Sequence, residues 1–195
     1  MKKYFNNLIL IASVAVLAAG CASAPSKFYT LNATATGAGA SAASYAVAVG
    51  PVTVPAEVDR PQFTVTVAPN RVSIDEFNRW AEPLNDGIAR AVAADLGALL
   101  GTPRATSVPP AGFAPDYRVT VDIQKFASLP GQSAELDAVW VVRQVAGNAT
   151  LSGRTTATEP VTDASYDALA AAHSRALAKL SRDLAAAIHS EAGTQ

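Results

Sequence analysis

Residues 117–124, YRVTVDIQ, alternate apolar with polar side chains and form the clearest strand pattern in the chain. Strict alternation over this length is typical of a β-strand that buries one face. A second alternating run covers residues 136–142, between the turn signals Pro130-Gly131 and Gly147-Asn148, and a Thr-rich run follows at residues 149–158. Consecutive strands joined by short turns predict an antiparallel meander.

Two further strand patterns precede this meander. Residues 47–54 are rich in β-branched Val, but Gly50-Pro51 interrupts the phase, which favours an edge strand or a strand bent at a bulge. Residues 63–75 alternate on both sides of the turn signal Pro69-Asn70, and they predict a hairpin.

Two segments have the spacing of amphipathic helices. The first is predicted over residues 85–100, capped by Asn85, with an apolar stripe at Leu84, Ile88, Val92, Leu96 and Leu99. The second is predicted to begin at Thr162 or Asp163 and to end near His189, with a stripe of Leu169, His173, Leu177, Leu180, Leu184 and Ile188. The order strands, helix, strands, helix lacks βαβ alternation. It predicts an α+β two-layer sandwich, a mainly antiparallel sheet with two helices packed on one face.

The N-terminus has the pattern of a lipoprotein signal peptide. Positive charge at residues 2–3 precedes an uncharged, mostly apolar run at residues 8–19, which is shorter than the roughly 20 residues of a membrane-spanning helix. Small residues lead directly to Cys21, the only cysteine of the chain, in the position of a lipidation cysteine. We therefore predict a signal peptide at residues 1–20 and a covalent lipid on Cys21.

The rest of the chain divides by composition into three segments. Residues 21–44 are predicted to hold the lipidated N-terminus, a short strand and a loop rich in Ala, Gly and Ser. A single folded domain is predicted over residues 45–190, and residues 191–195 form a tail.

Composition and charge exclude several classes of protein. The net charge is -1 and the pI is about 6.1, so the chain lacks the basic surface of a nucleic-acid-binding protein. One cysteine excludes an internal disulfide framework, and two histidines exclude a His-rich metal site. We expect no cofactor other than the lipid on Cys21, and no metal.

The titratable residues do not form a recognisable catalytic set. His173 and His189 lie sixteen residues apart on one predicted helix, which separates them by more than about 20 Å. The carboxylates considered for acid–base work are Asp116, Asp122, Glu135 and Asp137, which follow the polar faces of predicted strands. We predict that the protein is not an enzyme.

The segment 77–84, FNRWAEPL, places a large aromatic side chain and an arginine just before a helix. One interpretation is structural, with Trp80 packed in the corner between strand and helix. The other is a surface that grips a partner, because Trp and Arg are common anchors of interfaces. Tyr29, Arg79 and Trp80 are the candidate partner-binding residues.

Four pieces of the chain together resemble one family. They are residues 25–31 (PSKFYTL), residues 49–62 (VGPVTVPAEVDRPQ), residues 77–84 with the helix that follows, and residues 172–177 (AHSRAL). Their order and spacing resemble the ABC-type transport auxiliary lipoproteins of the Pqi type. The insertion rich in Ala, Gly and Ser after Leu31 departs from the family pattern.

This resemblance implies a lipoprotein of the outer membrane that faces the periplasm, because residue 22 is Ala where retained lipoproteins have Asp. The implied partners are the membrane, held through the N-terminal lipid, a periplasmic protein with Mce domains, and an inner-membrane transporter. Together these are expected to move lipids between the two membranes and to support envelope integrity. The sequence does not decide whether the protein forms homo-oligomers.

Two alternatives to this function remain open from the sequence. One is a lipoprotein chaperone or plug for an outer-membrane barrel, which a similar layout of sheet and helices would support. The other is a lipid-anchored periplasmic hydrolase, which would need a buried polar cluster.

Overall fold

The computed structural model of the chain describes residues 24–37, 44–147 and 149–192. The strands are β1 (Lys27–Tyr29), β2 (Val47–Thr53), β3 (Gln62–Ala68), β4 (Arg71–Trp80), β5 (Ala105–Thr106), β6 (Tyr117–Leu129), β7 (Ser133–Gln144) and β8 (Thr150–Pro160). The helices are α1 (Leu84–Leu100) and α2 (Tyr166–Ala192). Cys21, with the predicted signal peptide, lies outside the described residues.

The larger sheet has five strands in the order β5-β2-β6-β7-β8. Strands β6, β7 and β8 pair antiparallel in sequence order, which confirms the predicted meander. Strand β2 runs parallel to both β5 and β6, and its register with β6 shifts between Val49 and Val52. The predicted bulge is therefore present at Gly50-Pro51, although the first residues of β2 are paired on both sides.

The smaller sheet has three strands in the order β1-β4-β3. Strands β3 and β4 form the predicted antiparallel hairpin, and β1 runs parallel to β4. The α+β class with helices packed on a sheet is thus confirmed, but the strands divide into two mixed sheets. The parallel pairs join strands far apart in sequence, and alternation within each strand does not specify such pairs.

The helix boundaries differ from the predicted ones at both starts. Helix α1 begins after Pro83 without a side-chain cap, so the prediction of Asn85 as cap is wrong. Proline lacks an N–H and fixes its own φ, which suits it to a helix start. Helix α2 begins at Tyr166, where the hydroxyl of Ser165 accepts a hydrogen bond from the N–H of Ala168 at 3.1 Å. It therefore starts later than the predicted Thr162 or Asp163.

Both helices pack on the five-stranded sheet and on each other. Every residue of the predicted α2 stripe has an exposed fraction of 0%. In α1 the stripe is buried from Leu84 to Leu96, but Leu99 is only partly buried while Leu100 is fully buried. The predicted faces therefore form the core between the helices and the sheet.

Residues 31–37, called the strap here, lie across the outer side of the two helices. The N–H of Ala35 donates to the buried carboxylate of Asp95 on α1 at 2.8 Å. A Cβ on Gly37 would lie 2.2 Å from the carbonyl oxygen of Ala98, so the close approach of strap to helix requires glycine. The strap thereby connects β1 to the helical layer.

Candidate functional site

The register between β1 and β4 places the three candidate partner-binding residues at neighbouring positions but on two different faces of the small sheet. Tyr29 pairs with Trp80, and Phe28 pairs with Arg79. Paired residues of parallel strands present their side chains on the same face of a sheet. Tyr29 and Trp80 therefore share the inner face of the small sheet, whereas Phe28 and Arg79 share its outer face.

The inner face is a cluster of aromatic rings. Trp80 stacks on Phe63 with ring centroids 4.3 Å apart, and Tyr29 meets Phe63 edge-on at 5.8 Å. Tyr166 at the start of α2 packs edge-on against Phe63 at 5.0 Å. Tyr29 and Trp80 are both buried, so they hold the small sheet against α2, as the structural interpretation of Trp80 predicts. Partner binding by this segment stays a prediction, and only its exposed side chains could contact a partner.

Asp75 organises the middle of β4. Its carboxylate accepts hydrogen bonds from the backbone N–H groups of Phe77 and Asn78, at 2.8 and 2.9 Å, and from the Tyr166 hydroxyl at 2.8 Å. Burial raises the pKa of Asp75, but the donors at Asn78, Phe77 and Tyr166 outweigh it and lower the pKa overall. Burial and Asp75 together raise the pKa of Tyr166 to about 12.

The hydrogen bonds to Asp75 accompany a bulge that resets the side-chain alternation of β4. Phe63 pairs with Asp75, but the adjacent Gln62 pairs with Arg79. Ile74 precedes the inward-facing Asp75 and therefore points outward. The extra residues of the bulge bring Phe77 to this same outer face, two positions before Arg79.

The outer face carries exposed apolar side chains that sequence reasoning did not select. They are Phe28, Val72, Ile74 and Phe77, and together they are called the apolar face here. Alternation in the predicted hairpin could have placed Val72 and Ile74 on one side. It could not have joined Phe77 to them, because the bulge that shifts its phase has no signal in the sequence.

Arg79 adds a charged group beside the apolar face. It is half-buried, and its Nε has no hydrogen-bond partner among the residues that the structure describes. Arg60 shares this property and lines a cleft of about 290 Å³ together with Trp80 and Glu82. Glu82 is already engaged by Arg90, whose guanidinium donates to it at 2.6 Å. Arg60 is the arginine that lines this small cleft at the start of α1.

The predicted stripe histidine lies in the core. His173 has an exposed fraction of 0%, its Nε2 is 2.8 Å from the hydroxyl of Ser128, and its ring stacks on Phe126 at 3.8 Å. Burial lowers its pKa to about 3. His189 is exposed near the other end of α2, so the two histidines belong to separate environments.

The carboxylates considered for acid–base work are held in structural contacts. Asp116 accepts from the N–H of Ala46 at 2.6 Å, and Asp122 accepts from the hydroxyl of Thr53 at 2.6 Å. The remaining two form exposed ion pairs, Glu135 with Lys125 and Asp137 with Arg154. Each of the four carboxylates therefore forms a hydrogen bond or an ion pair with a neighbouring residue.

Two kinds of feature are not found within residues 24–37, 44–147 and 149–192. No group of three or more His, Cys, Asp or Glu side chains there has the arrangement of a metal site. Neither helix in those ranges is long and apolar enough to cross a membrane.

The chain is similar to one family and to several solved structures. The family described as ABC-type transport auxiliary lipoprotein component matches residues 29–185. An uncharacterized protein of known crystal structure shares 17% identity, covering 85% of this chain and 99% of that chain with a TM-score of 0.70. Protein XCC0632 from Xanthomonas campestris, of the family DUF330, shares 19% identity over 82% of this chain and 93% of that chain, with a TM-score of 0.67.

A dodecameric PelC from Paraburkholderia phytofirmans matches more distantly, at 15% identity over 79% of this chain and 90% of that chain, with a TM-score of 0.39. The first two structures show a shared fold, and the third is too dissimilar to add to it. No curated protein matches the chain.

Proposed function

Because the chain belongs to the family of ABC-type transport auxiliary lipoprotein components, we propose that it is a non-catalytic subunit of a Mce- or Pqi-type transport system. In this role it moves no lipid by itself. It is held to the outer membrane by the lipid on Cys21, faces the periplasm, and serves a transporter that carries lipids between the two membranes and supports envelope integrity.

The observation that carries this proposal is the extent of the family match. It begins at Tyr29 in β1 and ends at residue 185 in α2, so it spans almost the whole folded domain. A lipoprotein family also accords with the position of Cys21 directly after small residues that follow an apolar run. Ala22 in place of Asp supports delivery to the outer membrane.

A non-catalytic role is supported by the environment of the titratable groups. His173 is enclosed by Phe126 and Ser128, which leaves no room for a substrate beside its ring. A general base must reach the proton that it removes, either directly or through one water. Asp116 and Asp122 are tied to backbone and strand neighbours and are similarly committed to the fold.

The test is copurification from detergent-solubilised envelopes with a tag after Gln195. We expect the wild-type chain to bring down a periplasmic Mce-domain protein and inner-membrane transporter subunits. The matched control is Cys21→Ser with the same tag, which keeps the folded domain and removes the acyl acceptor. It should lose the outer-membrane fraction and recover less of the partner set.

The outcome of this experiment also separates the alternatives. Recovery of an outer-membrane barrel without Mce-type partners would support the chaperone or plug and contradict the transport role. A hydrolase predicts instead that the purified protein cleaves ester or glycosidic model substrates, and that activity would contradict a non-catalytic subunit.

A further inference from the structure

The apolar face is a group of exposed side chains on the outer side of the small sheet. Phe28 is 64% exposed, and Val72, Ile74 and Phe77 are each between 41% and 45% exposed. Within the described residues, both exposed phenylalanines and the exposed isoleucine lie on this face. Soluble proteins rarely expose contiguous apolar side chains of this size unless the surface contacts a partner or a membrane.

The remaining exposed apolar side chains of the described chain are separate valines. Val108 follows β5, Val139 lies in the middle of β7, Val145 follows β7, and Val67 lies near the tip of the hairpin. Single exposed valines are ordinary on protein surfaces. The apolar face is therefore distinguished by its aromatic content and by the placement of its side chains on one side of the paired strands β4 and β1.

The length of chain between the anchor and β1 limits which side of the domain can approach the bilayer. Phe28 lies seven residues after Cys21, so the intervening chain spans at most about 25 Å when fully extended. A domain of this size has a radius of gyration of about 15 Å and is roughly 40 Å across. The bilayer therefore lies within reach of the β1 side and beyond the reach of the opposite side.

One basic group lies on the same side of the small sheet as the apolar face. Arg79 is half-buried and pairs with Phe28, so the two share the outer face, whereas Lys27 and Arg71 alternate with Phe28 and Val72 and belong to the opposite face. The exposed Glu76 accepts a hydrogen bond from the side chain of Gln62, which pairs with Arg79. A basic side chain can place its apolar stem along a membrane surface while its charged end contacts a lipid phosphate, and Arg79 is placed to do so.

We propose that the apolar face rests on the lipid bilayer that holds the anchor, with Phe28 and Phe77 inserted at the level of the headgroups. This inference rests on the anchoring part of the proposed function and adds the orientation of the domain. A single acylated cysteine then fixes the position of the protein, and the apolar face fixes its rotation relative to the membrane. Helix α2, which packs against the inner side of the small sheet, is left on the side away from the membrane.

The experiment uses the full lipidated protein in vesicles of phosphatidylethanolamine and phosphatidylglycerol. Because the chain has one cysteine, acylation of Cys21 blocks the native thiol, so an introduced cysteine is the only free one. An environment-sensitive fluorophore is attached to Phe77→Cys, Ile74→Cys and Phe28→Cys in turn. The matched controls are Val108→Cys and Val139→Cys, which replace exposed apolar residues outside the apolar face.

We expect blue-shifted emission and quenching by spin-labelled lipids at positions 28, 74 and 77, and solvent-like emission without quenching at positions 108 and 139. Substitution at any of these exposed positions should leave the unfolding midpoint close to that of the wild type. Agreement among the three test positions makes the result independent of any one variant.

The experiment distinguishes failure of the proposed orientation from failure of the proposed anchor. A protein that floats with the vesicles but shows equal, solvent-like emission at all five positions overturns this inference and leaves the anchor intact. A blue shift at positions 74 and 77 without quenching by lipid indicates that a second copy or another protein surface covers the face, which also overturns it. A protein that does not float with the vesicles contradicts the anchoring itself.

Discussion

His173 illustrates how the core accommodates a polar side chain that the sequence places among leucines. One ring nitrogen contacts the hydroxyl of Ser128, and the ring face is covered by Phe126. The other nitrogen, Nδ1, is buried without a hydrogen-bond partner among the described residues. Such an environment favours the neutral imidazole, since a charge there would be neither paired nor hydrated.

We predict that His173 makes the protein sensitive to acid. Its pKa is lowered from 6.5 to about 3 by burial, so between those values the unfolded chain binds a proton that the folded chain does not. Stability is therefore retained above pH 6.5 and is lost as pH falls toward 3, at up to about 1.4 kcal/mol per pH unit. Urea unfolding across this range measures the slope.

The control for this prediction is His173→Gln, which retains a side chain able to hydrogen-bond to Ser128. Burial raises the pKa of Asp95. Its contribution to the pH dependence of stability therefore has the opposite sign, because that stability is present at low pH and is lost as pH rises. Both proteins contain Asp95, so the difference between their slopes isolates His173. Parallel slopes between pH 3 and 6.5 would show that His173 is not the acid-sensitive group.

Trp80 and Phe77 lie three residues apart on β4, but we predict that truncation of Trp80 strongly lowers stability whereas truncation of Phe77 leaves it nearly unchanged. Trp80 is 6% exposed and stacks on Phe63, so Trp80→Ala should cost about 3–5 kcal/mol of unfolding free energy. Phe77 lies on the outer face, and Phe77→Ala should change stability by no more than about 0.5 kcal/mol. Chemical denaturation of both variants checks the assignment, and a Trp80→Ala protein as stable as the wild type would refute it.

The elements that could be predicted from the sequence are those whose signal is local. The meander β6–β8 follows from alternation and turn residues, and the buried face of α2 follows from the spacing from Leu169 to Ile188. The parallel pairing of β1 with β4 was not predictable, because fifty residues separate the paired positions and neither strand encodes its neighbour. The apolar face depends on that pairing and on the bulge after Asp75, so it could be found only in the structure.

Helix α2 is predicted to be the main stabilising element of the helical layer. Leu177 has an exposed fraction of 0%, and Leu177→Ala should lower the free energy of unfolding by about 2–5 kcal/mol, because a cavity is left in the core. Arg182→Ala on the exposed side of the same helix is the matched control and should have an effect within about 0.5 kcal/mol. Equal unfolding midpoints for these two variants would contradict the packing of α2 described above.

Beyond the proposed anchor at Cys21, the molecule combines a small sheet with an apolar outer face and a larger sheet covered by two helices. Each acyl chain of the proposed lipid on Cys21 would strengthen the attachment to a bilayer, since each buried methylene adds to the free energy of binding. In the proposed orientation, the short segment between Cys21 and β1 keeps the small sheet closest to the membrane. Both the auxiliary transport role and the orientation of the domain require an anchor at Cys21.

The most direct test of this account is the intact mass of the mature protein purified from the outer-membrane fraction. We predict a chain that begins at Cys21 and carries the additional mass of its acyl groups. In cells producing Cys21→Ser, this species should be absent, and the protein should be soluble or should retain its signal peptide. A wild-type mature chain with an unmodified Cys21, or with its N-terminus at another residue, would contradict the account.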